Sequence, residues 1–200
     1  MSEPWKPSAL LAERLMLYPV GAQHYDMLRV AEILTIGPNW RHRGAVVSPE
    51  AFPSRIWSGI LAQFIIVRRD DDDTVGWLQC YNADMANGHA YVAAARLKRG
   101  NLSTDFAQGF VMFVDYLFDN WPFHKLYMEV GEFNLHFVEG GIGELFEIEG
   151  RLIDHLWAGE RRWDMLILST GRVTWQGSEF VEAIRRRTLA SEYPEGVQAR

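Results

Sequence analysis

The segment Ala93–Asp105 carries the residues of this sequence that are best suited to binding a phosphate group. A strand-like run leads into Gly100, and a helical pattern follows it. The free N–H groups and the positive dipole end of a helix N-terminus attract anions. Arg96, Lys98 and Arg99 add positive charge at the same point. The pattern indicates a pyrophosphate site, although a single glycine before a helix is also common where no ligand binds.

Three consecutive alanines, Ala93, Ala94 and Ala95, precede that glycine. They leave one strand with little side-chain bulk, so an extended ligand could approach its backbone and pair with it as a neighbouring strand would. The alternative is that the alanines make room for a bulky core residue. The sequence leaves both interpretations open.

A sheet is needed to position this segment. Alternating apolar residues, or runs rich in β-branched and aromatic residues, predict seven strands. Asn87-Gly88 and the acidic run Asp70–Asp73 are typical of hairpin tips, which favours an antiparallel meander in the first half. We interpret the four aspartates as a solvated turn rather than a metal site. The predicted strands are Glu13–Val20, Gln63–Arg69, Thr74–Asn82, His89–Leu97, Lys125–Val130, Glu147–Leu156 and Arg162–Ser169.

Helical spacing of apolar residues predicts the elements that cover this sheet. The strand, glycine loop, helix and strand around Gly100 form a βαβ unit, which implies one pair of parallel strands in mid-sheet. A weaker helix is predicted over Phe137–Phe146, where three glycines disfavour it, and a last one over Glu179–Arg187. The apolar stripes are Met27, Val30, Ala31 and Leu34; Phe52, Ile56 and Ile60 after an N-cap at Ser48 and a first-turn Pro49; and Phe106, Phe110, Phe113 and Leu117 before Trp121-Pro122.

The net charge, the cysteine count and the lengths of the apolar runs exclude several classes of function. The formal net charge of −6 and pI of about 5.5 argue against a nucleic-acid partner. Cys80, the single cysteine, allows neither an internal disulfide nor a thiolate metal site. No apolar run is long enough to cross a membrane, so we expect a soluble cytoplasmic protein. We expect one domain over residues 13–188, between a lead-in at 1–12 and a tail at 189–200.

Element order and motifs together resemble one known family. Asn134 follows a strand and is followed by Leu145-Phe146 and then by Glu149-Gly150, and Gly159 precedes the strand segment Trp163–Leu168. With the opening strand Arg14–Pro19, this order is similar to that of the GNAT acyl-CoA N-acyltransferases over about Glu13–Ser169. It most resembles the RimJ/RimL-like branch, which acetylates the N-termini of ribosomal proteins.

The resemblance implies an α/β GNAT fold, a mixed central sheet of about seven strands with flanking helices. It also implies acetyl-CoA or another acyl-CoA as co-substrate, an amine as acceptor and a possible homodimer. The family signature R/Q-x-x-G-x-G/A places the pyrophosphate at this chain's glycine loop, where Leu97 and Leu102 depart from it and Gly100 matches. The cofactor-binding residues expected are Ala95, Arg96, Leu97, Arg99, Gly100, Asn101, Leu102, Ser103, Thr104 and Asn134.

N-acyl transfer by direct attack needs an uncharged amine, a base that takes up its proton, and an acid for the leaving thiolate. The tyrosine that other GNAT branches use as acid is absent between Asn134 and Phe146. Our catalytic candidates are therefore His89 and Tyr91, on the strand face of Ala93 and Ala95, and Glu129 on the next strand. The alternatives are a solvated His89, a core Tyr91, and a Glu129 that pairs with Lys125 or an arginine.

Two functions of different classes follow. The first is an N-acetyltransferase that acts on a primary amine of a small molecule or peptide, with an acetyl or a longer acyl donor. The second is a GNAT-like binding or interaction module that has lost catalysis, which Leu97, Leu102 and Phe137 favour. The basic and aromatic segment Gly37–Ser48, with Trp40 and Arg41–Arg43, would favour an acidic or planar acceptor.

Overall fold

The strands predicted in the first half form a meander, as expected from their hairpin tips. A computed structural model describes residues 10–33, 46–97 and 103–188. Within these ranges, seven strands form one sheet in the order β1-β2-β3-β4-β5-β7-β6. The pair β4–β5 is parallel and the other neighbours are antiparallel, which confirms the predicted mixed sheet. The strands are β1 Leu15–Pro19, β2 Ile60–Arg68, β3 Asp73–Asp84, β4 His89–Arg96, β5 Lys125–Gly131, β6 Glu147–Ala158 and β7 Arg161–Gly171.

The acidic run forms the tip of the β2–β3 hairpin. Asp72 has a positive φ of 54°, a turn conformation that aspartate tolerates better than most residues. Arg68 pairs with Asp71 at 2.9 Å and with Asp105, on the following helix, at 3.2 Å. Across the described ranges, no group of three His, Cys, Asp or Glu side chains is arranged to hold a metal ion.

Five α-helices are described: α1 Tyr25–Ala31, α2 Phe52–Ile56, α3 Ser103–Asn120, α4 Arg172–Gly177 and α5 Glu179–Thr188. Helix α4 was not predicted. It buries Trp175, whose Nε1 donates to Asp115 Oδ1 of α3 at 2.7 Å. None of the described helices combines the length and the apolar character that crossing a bilayer requires.

The predicted stripe of α1 is wrong at Met27 and Val30 and right at Ala31. The structure buries Leu28 and Ala31 and packs Tyr25 against the same core, whereas Met27 and Val30 are exposed. The contact stripe therefore runs at spacing three, through Tyr25, Leu28 and Ala31. Leu34 lies outside the described residues.

The second predicted helix is shorter than expected. Ser48 Oγ accepts the Ala51 N–H at 3.3 Å in a turn before α2, and Ile60 begins β2 instead of continuing the helix. Gly59, at a φ of +67°, explains this end because a left-handed residue stops a helix.

The predicted helix over Phe137–Phe146 is wrong. Two 3-10 segments, Glu132–Phe137 and Glu139–Gly141, occupy this region and a tight turn follows. Gly143 adopts a φ of +89°, and its N–H donates to Phe146 O at 2.8 Å. The left-handed conformation of Gly143 is one that the interior of an α-helix does not contain.

Two cores lie on opposite faces of the sheet. The larger core packs α3 and α5 against side chains such as Ile66, Val92 and Leu126. The smaller packs α1 and α2 against the other face of β2–β4. Gly109 lets α3 approach β2 closely, because a Cβ at that position would lie 2.6 Å from Ile66 Cδ1.

Candidate active site

Strands β4 and β5 pair only at their N-terminal ends. The register joins His89 to Lys125, Ala90 to Leu126 and Tyr91 to Tyr127. Beyond that third pair, β4 continues through Val92–Arg96 and β5 through Met128–Gly131, with no further ladder pairs between them in the described ranges. We call the space between these two segments the β4–β5 cleft. Its facing backbone edges are available to an extended ligand that pairs with a strand.

The wide end of the cleft is bounded by Arg96. Its guanidinium carbon lies 5.3 Å from the ring centre of Phe106 on α3 and 5.0 Å from that of Phe137, in the 3-10 segment after β5. Such stacking holds the cation without using its N–H donors, which remain suited to an anion. Phe137 itself is 58% exposed. Phe137 stands where the family pattern often has serine, and in this structure its ring contacts the guanidinium of Arg96.

Only some of the residues expected to bind the cofactor are described at the wide end of the cleft. Ala95, Arg96 and Leu97 lie at the end of β4, Ser103 is the first residue of α3, and Thr104 is exposed in its first turn. Asn134 is half-buried in the 3-10 segment that follows β5. Arg99, Gly100, Asn101 and Leu102 lie outside the described residues, so the predicted glycine-loop contacts stay predictions.

The alanines of β4 lie in two different environments, one on each face of the sheet. Ala95 is buried opposite Trp77 of β3, in the smaller core, which supports close packing against a bulky residue at that position. Ala94 points to the other face and is exposed, although its strand neighbour Val92 on that face is buried. The bare strand surface predicted for a ligand therefore reduces to Ala94.

His89, Tyr91 and Tyr127 lie together on the face that carries the smaller core. The ring centres of Tyr91 and Tyr127 are 5.3 Å apart, and His89 makes an edge contact with Tyr127 at 5.6 Å. His89 Nε2 is 3.9 Å from Asp84 Oδ2, so it borders the hairpin turn as well as the cluster. Tyr91 is half-buried beside Tyr81, at 5.7 Å. Tyr91 and Tyr127 form the last pair before the strands separate.

Glu129 is exposed two residues beyond Tyr127, on the same face of β5 and beside the cleft. The ion pair proposed for it with Lys125 is not formed. Lys125 Nζ instead donates to Glu149 Oε1 at 2.5 Å.

Sequence reasoning missed Tyr127 and the role of Glu149. Glu149 Oε1 also accepts from Ser169 Oγ at 2.6 Å, and Ser169 lies opposite Tyr127 in the β5–β7 register. These partners, Lys125 first, hold the pKa of Glu149 below its ordinary value. Burial raises the pKa of Tyr127, and the neighbouring Glu149 carboxylate raises it further. The alternation of Lys125, Tyr127 and Glu129 against apolar residues was the available signal for Tyr127.

A cysteine nucleophile is excluded at this site. Cys80 is buried in the larger core, and burial raises its pKa to about 12. Its thiol therefore stays protonated at neutral pH and out of reach of a ligand.

Solved structures share this architecture. A GCN5-related N-acetyltransferase from Brucella melitensis superposes with a TM-score of 0.66 and 17% identity, over 88% of this chain and 83% of that one. Spermidine N-acetyltransferase from Vibrio cholerae, in complex with CoA and spermine, gives 0.65 and 11%, over 82% and 99%. A probable GNAT-family acetyltransferase from Chromobacterium violaceum gives 0.62 and 17%, over 88% and 96%. The chain has the GNAT fold.

No protein-family model matches the sequence, and no curated protein matches it significantly. The GNAT fold is thus recognisable in three dimensions at identities of 11–17%. This confirms the fold class predicted from the sequence, a mixed seven-stranded sheet with flanking helices. The structural matches do not single out the RimJ/RimL-like branch.

Proposed function

We propose that this chain is an acyl-CoA-dependent N-acetyltransferase, which transfers an acetyl or longer acyl group to a primary amine by direct attack. The observation that carries the proposal is the separation of β4 and β5 after the pair Tyr91–Tyr127. A parallel pair that ends in mid-sheet offers a narrow cleft with free backbone groups, which an extended amide-containing chain such as pantetheine can pair with.

The residues that bound the cleft fit such a ligand. Arg96, stacked between two rings, can donate to a phosphate at the wide end, and Thr104 is exposed in the first turn of the 18-residue helix α3. At the narrow end, Tyr91 and Tyr127 lie on the face away from α3. We infer that the acceptor amine reaches the acyl carbon from that face, because the core beneath α3 fills the other.

The chemistry expected there is balanced without a covalent enzyme intermediate. Acyl-CoA supplies a thioester; a bond forms between the amine nitrogen and the acyl carbon, and the carbon–sulfur bond breaks. The proton lost by the amine passes to a base, directly or through water, and the thiolate takes up a proton. Glu129, exposed beside the cleft, is our first candidate for the base, and Tyr91 and His89 remain candidates for proton transfer.

A binding measurement and an activity assay test this function. Calorimetry should show binding of CoA and acetyl-CoA, and a panel of primary amines should include at least one that the protein acetylates. Binding without turnover on any amine would favour the alternative of a binding module that has lost catalysis, for which Leu97, Leu102 and Phe137 were the sequence signals. Absence of CoA and acyl-CoA binding would contradict both functions.

A bulky residue at Ala94 gives the sharper test. Ala94→Trp should fill the β4–β5 cleft and weaken CoA binding at least about tenfold, because Ala94 is exposed where β4 has separated from β5. The matched control is Ala86→Trp, an equally large change at an exposed position in the β3–β4 turn. Normal CoA affinity in a folded Ala94→Trp variant would show that the ligand site lies elsewhere.

Four other predictions stay with the proposal. They are the likeness to the branch that acetylates ribosomal-protein N-termini, a homodimer, a cytoplasmic location and one domain over residues 13–188. The acceptor-side segment Gly37–Ser48 lies almost wholly outside the described residues, so its suggestion of an acidic or planar acceptor rests on sequence alone.

A further inference from the structure

Strand β6 forms one edge of the sheet, and among the described strands it pairs with β7 alone. Four of its large apolar side chains are exposed, and two of them lie mostly in solvent: Ile153 is 78% exposed and Trp157 63%. The other two are Ile148 and Leu152. We call these four residues the β6 strip. Exposed apolar side chains along a sheet edge favour a contact with another chain.

The two ends of the β6 strip lie on the same face of the sheet. Ile148 is opposite Leu168 of β7, and Trp157 is opposite Arg162. Leu168 and Arg162 are separated by an even number of residues, so their side chains share the face that α3 covers. In a regular strand Ile148 and Trp157 would point to opposite faces, and the register shifts in β6 bring them to one.

The order of apolar residues along β6 is complementary to itself when the strand is reversed. An axis between Leu152 and Ile153 places these two residues opposite each other in two antiparallel copies. The same axis places Ile148 opposite Trp157, which share a face. Two antiparallel copies of β6 would therefore cover the whole β6 strip with apolar contacts, at its centre and at both ends.

The charges along β6 favour the same arrangement. The axis places Arg151 opposite Asp154, and Arg151 remains 56% exposed although it also pairs with Asp164 of its own chain. Glu147 stands at one end of β6, and the turn Glu160–Arg162, with two arginines and one glutamate, follows the other end. Antiparallel packing brings the acidic end of one copy to the basic turn of the other, and a parallel arrangement would not.

We propose that β6 packs antiparallel along β6 of a second copy of this chain, about a two-fold axis beside Ile153, with Ile148 of each copy against Trp157 of the other. Such a contact uses the same surface twice and closes after two copies. The inference does not depend on acyl transfer. It gives the homodimer that the family likeness implied a surface and a register, which that likeness did not supply.

The first experiment measures the mass of the protein in solution by light scattering after size exclusion. At micromolar concentration, we expect the wild-type protein to have twice the chain mass of 23.0 kDa. Ile153→Lys should weaken the dimer at least about tenfold, because it places two ammonium groups beside the axis and removes the central apolar contact. The matched control is Val30→Lys, at an exposed β-branched residue of α1, which should keep the wild-type mass.

Circular dichroism checks that both lysine variants are folded. A monomeric wild-type protein, or an assembly larger than two chains, would overturn the proposal. So would a folded Ile153→Lys variant that associates as tightly as the wild type, because the interface would then lie elsewhere.

The second experiment tests the register by cross-linking and leaves the β6 strip intact. The axis places Glu147 opposite Ala158, so the double variant Glu147→Cys/Ala158→Cys brings two thiols to the spacing of neighbouring strands. Diamide should oxidise them to intermolecular disulfides and give a covalent two-chain species on a non-reducing gel. Cys80 is buried, so the introduced thiols are the ones that react.

The two single variants are the matched controls for the cross-link. In the proposed register the two copies of Glu147→Cys, or of Ala158→Cys, lie roughly 30 Å apart, too far for a disulfide. Cross-linking of either single variant, or none of the double variant, would contradict the register. This result is informative even if Ile153→Lys does not fold.

Discussion

Glu149 links the charge of the candidate site to the stability of the fold. Its pKa is lowered by the hydrogen bond from Lys125, then by Ser169, with a smaller share from Tyr127. Because the folded state lowers this pKa below its ordinary value of 4.5, the ionised carboxylate stabilises the protein above about pH 4.5. That stabilisation is lost as the pH falls through the lowered pKa. We expect Glu149→Gln to lower the Tm at pH 7 and to match the wild-type Tm more closely near pH 3.

The groups beside Glu149 are Lys125, Tyr127 and Ser169, and Glu147 precedes it by two residues on β6 and acts on the same Lys125. Glu147→Gln is therefore the matched control, and its Tm difference from the wild type should be small at both pH values. A Tm gap for Glu149→Gln that is as wide at pH 3 as at pH 7 would contradict the electrostatic role. Thermal melts followed by circular dichroism measure all three proteins.

A single site residue was predictable only where the alternation of polar and apolar residues along its own strand revealed it. Alternation along β5 identified Glu129, and the same alternation marks Tyr127 as its neighbour on one face. The partnership of Glu149 with Lys125 could not be predicted, because it depends on β7 lying between β5 and β6 and on a register shift at Ile148/Gly150. No local pattern in the sequence carries that register.

Helix α3 sets the floor beneath the cleft, and Gly109 sets its distance from the sheet. A Cβ at Gly109 would lie within 2.6–2.9 Å of three side-chain carbons of Ile66 on β2. Gly109→Leu should therefore destabilise the protein by about 1–3 kcal/mol through overpacking, despite the better helix propensity of leucine. Chemical denaturation gives the value, as a lower midpoint at unchanged m.

Gly140→Leu is the control for this substitution, since nothing lies within 4 Å of a Cβ at Gly140 and its φ is not positive. It should change stability by less than about 0.5 kcal/mol, as surface substitutions usually do. A stable Gly109→Leu variant would mean that α3 does not pack as closely on β2 as the structure shows.

The elements were predictable to different degrees, for physical reasons. The strands follow from alternation and turn residues, and α3 follows from its long apolar stripe and the stop at Trp121-Pro122. The stripe of α1 was misplaced because Tyr25, Leu28 and Ala31 form a second possible apolar stripe beside Met27, Val30 and Ala31, and packing in the smaller core decides between the two. The segment 137–146 was misread as a helix because apolar spacing outweighed its glycines.

At the scale of the whole molecule, the sheet order creates the candidate site. A βαβ unit in the middle of an otherwise antiparallel sheet makes β4 and β5 parallel neighbours, and this was predictable from the strand–helix–strand pattern. That these two strands separate after Tyr91–Tyr127 was not predictable, because no local pattern in the sequence marks where a parallel pair stops. The site therefore emerges from packing between elements that are distant in the sequence.

Hydrogen exchange with and without CoA tests the central claim most directly, because it reports the backbone of the cleft itself. If CoA pairs with the separated strands, amide exchange should slow in Val92–Arg96 and Met128–Gly131, while the exposed strand β6, Glu147–Ala158, keeps its rate. Bound CoA with unchanged exchange in both cleft segments, or protection confined to β6, would contradict the account.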